Sequence, residues 1–177
     1  MRVISGKFKG RVLDKFKGDA IRPTADRAKE ALFNIISREI YGADFLDLFS
    51  GTGSIGIEAL SRGANEVVFV DGSRESVSII KSNLSKLNED GNVENVNAEI
   101  YLLKTNKKFD FIFLDPPYNY QEADKLFKII SERALLKEGG VVIYEHASDY
   151  KFNSEHLEIY DSRRYGIAVF DFLRSKQ

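Results

Sequence analysis

The chain has 177 residues, of which 43% are apolar and 30% charged, and this length suits one globular domain with a single core. It contains no cysteine, which excludes disulfide scaffolds, thiolate metal sites and cysteine nucleophiles. The sequence has neither a long apolar run nor a signal-peptide pattern, so we expect a cytoplasmic protein.

The net charge is only −1, but the basic residues are concentrated at the amino terminus. Two short apolar pairs, at residues 3–4 and 12–13, flank a glycine-containing turn, and this pattern predicts a small β-hairpin within residues 1–20. Its basic side chains indicate a polyanionic partner such as RNA, although a solvated hairpin would carry the same charges. The predicted RNA-binding residues are Arg2, Lys7, Lys9, Arg11, Lys15 and Lys17.

Beyond the hairpin, residues 21–177 show short apolar stretches alternating with helical patterns, which predicts an α/β domain with a mostly parallel sheet. Strands are predicted at 45–48, 66–70, 93–96, 109–114 and 141–144, followed by an antiparallel pair at 157–160 and 165–172. Helices are predicted at 24–42, 55–62, 73–87 and 121–136. These elements give a seven-stranded sheet with an antiparallel edge.

A glycine-rich loop follows the first predicted strand, with Gly51, Gly53 and Gly56 at the spacing of a dinucleotide-binding loop. Asp71 ends the next strand about 20 residues later, where an acid can bind ribose hydroxyls. The carboxylate of Asp47, just before the loop, would repel a pyrophosphate but attract a cation. These charges favour S-adenosylmethionine, which carries an ammonium and a sulfonium but no phosphate, with a nicotinamide dinucleotide as the alternative.

Other residues are candidates for the same cofactor pocket. Asn97 and Ala98 follow the third predicted strand and could hold an adenine ring, although the pair alone is more typical of a turn. Arg22 and Thr24 either contact a cofactor carboxylate or an RNA phosphate, or simply begin a helix. The predicted cofactor-binding residues are Asp47, Phe49, Gly51, Thr52, Gly53, Asp71, Gly72, Asn97, Ala98, Arg22 and Thr24.

The fourth predicted strand delivers Asp115, Pro116, Pro117 and Tyr118 to the carboxyl edge of the sheet, where ligands bind in α/β proteins. Two prolines fix the backbone and remove two N–H donors, so this loop presents acceptors. The Asp115 carboxylate and the Pro116 carbonyl could accept the hydrogens of an exocyclic amine, while Tyr118 stacks on the base. We predict these four residues to be catalytic, the alternative being a rigid turn. Guanine, with N1–H beside its 2-amino group, suits a carboxylate better than adenine does.

Two histidines are the remaining candidate ligands. Glu145 and His146 end the fifth predicted strand near the presumed site, and His146 and His156 are interpreted as polar loop residues. His146 and His156 are too few and too far apart for a convincing metal site, so no metal is predicted.

Four motifs occur in the order RVISG (2–6), RPTADR (22–27), DLFSGTG (47–53) and DPPY (115–118). Together they resemble the RsmD-type family of bacterial 16S rRNA guanine-N2 methyltransferases. The resemblance implies a Rossmann-like class I S-adenosylmethionine-dependent methyltransferase that acts on one guanine in an assembling small ribosomal subunit. It also implies that the hairpin contacts RNA, that Asp115 to Tyr118 hold the target amine, and that the methyl donor is bound by Asp47, Gly51, Gly53, Asp71 and Asn97.

Other functions remain open at this point. The same tetrapeptide serves methylation of other amines, such as adenine N6 in DNA or RNA or a protein glutamine. The glycine loop alone also fits a nicotinamide-dependent oxidoreductase, and the basic hairpin alone fits a non-catalytic RNA-binding assembly factor.

Overall fold

The computed structural model describes residues 1–18, 23–117, 120–150, 152 and 154–176. In these residues the chain forms five helices and seven strands. The helices are α1 (Pro23–Ile35), α2 (Ser54–Ser61), α3 (Arg74–Lys86), α4 (Ala98–Lys104) and α5 (Ala123–Glu132). The strands are β1 (Asp44–Leu48), β2 (Glu66–Val70), β3 (Asn92–Glu94), β4 (Phe109–Leu114), β5 (Leu136–Ala147), β6 (Leu157–Tyr165) and β7 (Ala168–Ser175).

All seven strands form one sheet in the order β3-β2-β1-β4-β5-β7-β6. Strands β1 to β5 run parallel to one another, and β7 runs antiparallel to both β5 and β6. The predicted mostly parallel sheet with an antiparallel edge is therefore confirmed. Because β1 lies between β2 and β4, the direction of winding reverses between β1 and β4, and a crevice opens at their carboxyl ends.

The sheet is covered on both faces, which is why its central strands are almost continuously buried. On one face Phe45 and Phe111 pack with buried residues of α1, α2 and α3. On the other face Leu46 and Ile112 pack with buried residues of α4 and α5. This double cover holds the ends of β1 and β4 rigidly side by side.

The predicted N-terminal hairpin is present in short form. Arg2 and Val12 form an antiparallel bridge, and the Val3 N–H donates to the Arg11 carbonyl at 3.0 Å. Val3 and Leu13 are buried in the same apolar cluster as α1, α2 and α3, so the hairpin packs directly on the α/β domain. Residues 19 and 20 of the predicted unit lie outside the described residues.

Several predicted boundaries differ from the structure, and three of the differences have a clear physical reason. The first helix ends at Ile35 and not near Gly42, because turns over residues 36–39 bury Ile36 and Ile40 without a continuous helix. The fifth helix is shorter than predicted, since Ala134 adopts a left-handed conformation with φ of 49°. Strand β5 begins five residues earlier than predicted because an irregularity in its pairing with β4 accommodates the two glycines.

Helix α4 was not expected as a helix. It has only seven residues and no full amphipathic period, so its one clear signal is Asn97 as the N-cap. Among the described residues, no helix has the length and apolar character to cross a membrane.

Candidate active site

The glycine loop and the Asp-Pro-Pro loop leave the sheet at neighbouring positions. Leu48 at the end of β1 pairs with Leu114 at the end of β4, so both loops begin at the same height on the carboxyl edge. The structure thereby brings together two sequence motifs more than 60 residues apart, as their positions after parallel strands predict.

Glycine is required at three positions of the first loop for different structural reasons. Gly51 and Gly53 adopt φ of 56° and 77°, which side chains disfavour, and Gly53 caps the amino terminus of α2. Gly56 allows close packing, since a Cβ atom there would lie 2.3 Å from the Phe69 ring. The loop therefore has no side chains at these glycine positions, where its backbone faces the crevice.

Asp47 is buried beneath this loop, with 1% of its surface exposed. Its Oδ2 accepts one hydrogen bond, from the Gly56 N–H at 3.0 Å. Burial raises the pKa of Asp47 to about 8, and the nearby charges of Asp115 and Asp71 act in the same direction. A buried carboxyl with a single donor among the described residues is suited to a cationic ligand group.

Asp71 at the end of β2 also belongs to the crevice. Its two carboxylate oxygens accept the N–H groups of Gly51 and Ser73, each at 2.8 Å. These bonds fix the carboxylate against the glycine loop, and each oxygen keeps a second lone pair for a hydroxyl donor. The predicted ribose-binding position is therefore compatible with its structural role.

Phe49 follows β1, and Asn97 follows β3. The Asn97 side-chain oxygen accepts the Glu99 N–H at 2.9 Å, which leaves its amide N–H groups as donors. Phe49 has φ of 59°, a rare backbone conformation for a non-glycine residue, and its ring contacts Tyr120 edge to face with centroids 5.3 Å apart. This pair is an aromatic contact between the glycine loop and the Asp-Pro-Pro loop.

The remaining predicted cofactor residues have different surroundings. The Thr52 hydroxyl donates to the sulfur of Met1 at 3.3 Å, so this side chain contacts the hairpin. Ala98 is buried, and the position of Gly72 has open space for a larger side chain. Arg22 lies outside the described residues, and Thr24 lies within α1.

The Asp-Pro-Pro loop presents acceptors, as predicted. The Pro117 carbonyl accepts the Tyr120 N–H at 2.8 Å, whereas no donor among the described residues binds the Pro116 carbonyl. Part of Asp115 is open to solvent, but the protein packed around its carboxyl group raises the pKa of Asp115. Tyr118 lies outside the described residues, so its stacking role stays a prediction.

Glu145 and His146 are more closely associated with the site than the sequence predicts. Both lie within β5, which extends to Ala147, so the interpretation of His146 as a loop residue is wrong. Glu145 follows Tyr144, the partner of Leu114, and therefore sits beside Asp115 at the sheet edge. Burial and the negative charge of Asp115 raise the pKa of Glu145. Strand register alone could have indicated this, and register is not visible in one sequence.

His146 is held by two hydrogen bonds, from Nε2 to Asp171 and from Nδ1 to the Ala147 carbonyl, both 2.8 Å long. Burial lowers the pKa of His146, but the hydrogen bonds with Asp171 and the Ala147 carbonyl and the negative charge of Asp171 together outweigh it, and the net direction is upward. His156 lies elsewhere, 3.6 Å from Asp124, whose other oxygen accepts the Glu155 N–H at 3.2 Å. These contacts of Asp124 with Glu155 and His156 therefore connect α5 to the segment before β6.

The hairpin is attached to α2 through a buried acid, Glu58. The carboxylate of Glu58 accepts the N–H groups of Ile4 and Ser5 at 2.8 and 3.0 Å, and it also binds Arg62 at 2.9 Å. Lys29, 4% exposed, lies 3.7 Å from the same carboxylate. These contacts fix the orientation of the predicted RNA-binding surface relative to the crevice.

The basic residues of the hairpin differ in their surroundings. Lys7 pairs with Glu89, and the Arg11 guanidinium donates to the Lys86 carbonyl. Lys15 is half-buried and has a partner. The three exposed basic side chains without these contacts are Arg2, Lys9 and Lys17.

Comparison with solved structures defines the class of protein. A structure from Escherichia coli titled "Putative methyltransferase yhhF" superposes with a TM-score of 0.85 and 27% identity, covering 100% of this chain and 99% of that one. A methylase structure from Haemophilus influenzae, HI0767, gives a TM-score of 0.81 at 30% identity over 99% and 98% of the two chains. The fold and the crevice thus define a Rossmann-like methyltransferase.

Sequence comparisons identify the family. The family model described as "Conserved hypothetical protein 95" matches residues 1–174. "Putative rRNA methyltransferase YlbH" of Bacillus subtilis is 43% identical over 82% of both chains. "Ribosomal RNA small subunit methyltransferase D" of H. influenzae is 34% identical over 84% of this chain and 80% of that protein. The chain belongs to this family, which is the RsmD-type family indicated by its motifs.

Proposed function

We propose that this chain acts in the cytoplasm and transfers a methyl group from S-adenosylmethionine to the exocyclic N2 amine of one guanine in 16S rRNA, within an assembling small subunit. The names of its relatives support an rRNA substrate. The single observation that carries the chemistry is the convergence of Asp47 and Asp115 on one crevice from two adjacent parallel strands.

The described residues fit the proposed methyl donor. Asp47 is a buried carboxyl with one described donor, so it has capacity for the ammonium of the methionine moiety. Asp71 would bind the ribose, and the Asn97 amide would donate to the adenine. The donor supplies an electrophilic methyl group on a positively charged sulfur.

The Asp-Pro-Pro loop would position the nucleophile. Asp115 and the Pro116 carbonyl accept the two hydrogens of the guanine 2-amino group, so that the nitrogen lone pair is directed at the methyl carbon. Asp115 accepts the proton that N2 releases once the N–C bond has formed and the methyl–sulfur bond has broken. The target guanine has to leave its base stack to reach the crevice, at a cost of a few kcal/mol.

Incubating the purified protein with tritiated S-adenosylmethionine and small-subunit particles from cells that lack it tests this function. We expect incorporation into 16S rRNA, with N2-methylguanosine as the labelled nucleoside in mass spectrometry. Labelled N6-methyladenosine would instead identify an adenine methyltransferase. The absence of any labelled nucleoside would contradict the proposal.

Binding of the donor should release protons because Asp47 is mostly protonated at pH 7 in the free protein. A cation beside Asp47 favours its ionised form, so S-adenosylhomocysteine should displace close to one proton per bound molecule at pH 7, and fewer above pH 8. Calorimetry in buffers of different ionisation enthalpy measures this release. Identical heats in all buffers would contradict the role of Asp47.

Asp47→Asn provides the matched test, since it keeps the shape of the side chain but removes its titration. We expect this variant to release no proton and to bind about 10- to 100-fold more weakly, because it loses a charge-assisted contact. Asp90→Asn, at an exposed position outside the crevice, is the control and should behave like the wild type.

Contact between the hairpin and RNA predicts a change in salt dependence. Replacing Lys9 and Lys17 by Ala should weaken binding to unmethylated particles and lower the slope of log K against log salt by about 0.7 per lost phosphate contact. Lys104→Ala with Lys128→Ala, on α4 and α5, is the control with equal charge change. If both double variants give the wild-type slope, the hairpin is not the RNA contact.

A further inference from the structure

Two acids share the pocket at the end of β4 and β5. Leu114 and Tyr144 are partners in the parallel pairing, so Asp115 and Glu145 continue from the two strands side by side. Both acids line one small pocket, whose walls include the rings of Tyr120, Tyr144 and Tyr150. The pocket thus combines two carboxyl groups with aromatic surface.

Neither carboxyl group has a hydrogen-bond donor among the described residues, in contrast to Asp47 and Asp71, which accept backbone N–H groups. The neighbouring His146 does not neutralise Glu145, because its two ring nitrogens are bound to Asp171 and to the Ala147 carbonyl. Glu145 is half-buried, and a half-buried carboxyl group without a donor is unfavourable, so a donor from a ligand would stabilise it.

We propose that Glu145 accepts the N1–H of the target guanine while Asp115 accepts hydrogens of its 2-amino group, so that Glu145 determines the base that is methylated. This inference rests on the proposed guanine-N2 activity. Guanine carries these two donors on adjacent atoms of one edge, and two carboxyl groups on adjacent strands match that arrangement. Tyr120 and Tyr150 provide apolar surface for the base.

The proposal explains selectivity between bases. Adenine and 2,6-diaminopurine have a lone pair at N1, which the ionised Glu145 carboxylate would face without a hydrogen, so the selectivity is expected above the raised pKa of Glu145, about 8. A site built to hydrogen-bond a donor rejects an analogue without it by up to about 10⁴-fold, because buried polar groups are left unpaired. The base 2,6-diaminopurine is the informative probe, since it keeps the 2-amino group that is methylated and changes N1.

The experiment uses particles reconstituted around ligated 16S rRNA, in which the methylated guanine, once mapped, is replaced by 2,6-diaminopurine. At about pH 9, where Glu145 is ionised, the wild-type protein should methylate the guanine particle and have at least about 100-fold lower kcat/KM for the diaminopurine particle. Comparable rates on both would overturn the role of Glu145 but leave the proposed function intact. No methylation of the guanine particle, in contrast, would refute the proposed function itself.

Glu145→Gln adds a specificity readout, because an amide can donate to the N1 lone pair of diaminopurine. We expect its preference for guanine over diaminopurine to fall at least about 10-fold relative to the wild type, with unchanged binding of S-adenosylhomocysteine. Glu138→Gln, an exposed position at the other end of β5, should retain the wild-type preference. An unchanged preference in Glu145→Gln would overturn the inference.

Discussion

Replacing Asp115 by Ala should lower the rate of methyl transfer by about 100- to 1000-fold, the effect typical of losing one positioned polar group at a reacting centre. The variant loses the carboxylate that orients the amine, but it keeps Asp47 and the glycine loop. Binding of S-adenosylhomocysteine should therefore be retained. Single-turnover kinetics on unmethylated particles, together with calorimetry, measure the two properties separately.

The matched control for this variant is Asp90→Ala, which removes an exposed acid outside the crevice. It should methylate at the wild-type rate. A wild-type rate in Asp115→Ala would show that the Asp-Pro-Pro loop does not position the nucleophile. A loss of ligand binding together with activity would instead place Asp115 in the cofactor site.

Replacing Glu58 by Ala should lower the free energy of unfolding by about 3–5 kcal/mol, the range typical of breaking a buried ion pair. The substitution leaves Lys29 buried without its acid and removes the acceptor of two hairpin N–H groups. Urea denaturation followed by circular dichroism measures the loss. Hydrogen exchange should report it first in residues 1–18.

An exposed ion pair provides the comparison. Glu132 is paired with Lys128 on the surface of α5. Replacing Glu132 by Ala should lower the free energy of unfolding by less than about 1 kcal/mol. If Glu58→Ala costs no more than Glu132→Ala, the hairpin is held by its apolar contacts and not by the carboxylate.

Much of the fold could be predicted because its signals are local. The strands 66–70 and 109–114 were predicted at their observed bounds, since continuous apolar runs mark strands covered on both faces. Asp47 and Asp115 could be placed together because loops after adjacent parallel strands open at the same edge. The alternating order of strands and helices is enough to predict that both loops lie at this edge of the sheet.

The pairing of Glu145 with Asp115 could not be predicted in the same way. It depends on the register of β5 against β4, and this register includes an irregularity where Gly139 and Gly140 enter the strand. Two adjacent glycines are typical of a helix end or a turn, so the sequence favoured a shorter strand. A Cβ atom at Gly140 would lie 2.9 Å from the Phe109 carbonyl, so the conformation of this glycine depends on a strand that is distant in sequence.

Helix α2 has a consequence for how the two surfaces of the protein move. Its amino terminus closes the glycine loop through Gly53, while Glu58 and Ser61, one to two turns later, bind the hairpin backbone. The eight residues of α2 thus contact the glycine loop at one end and the hairpin toward the other end. A rigid-body shift of α2 would therefore move its contacts with the glycine loop and with the hairpin together.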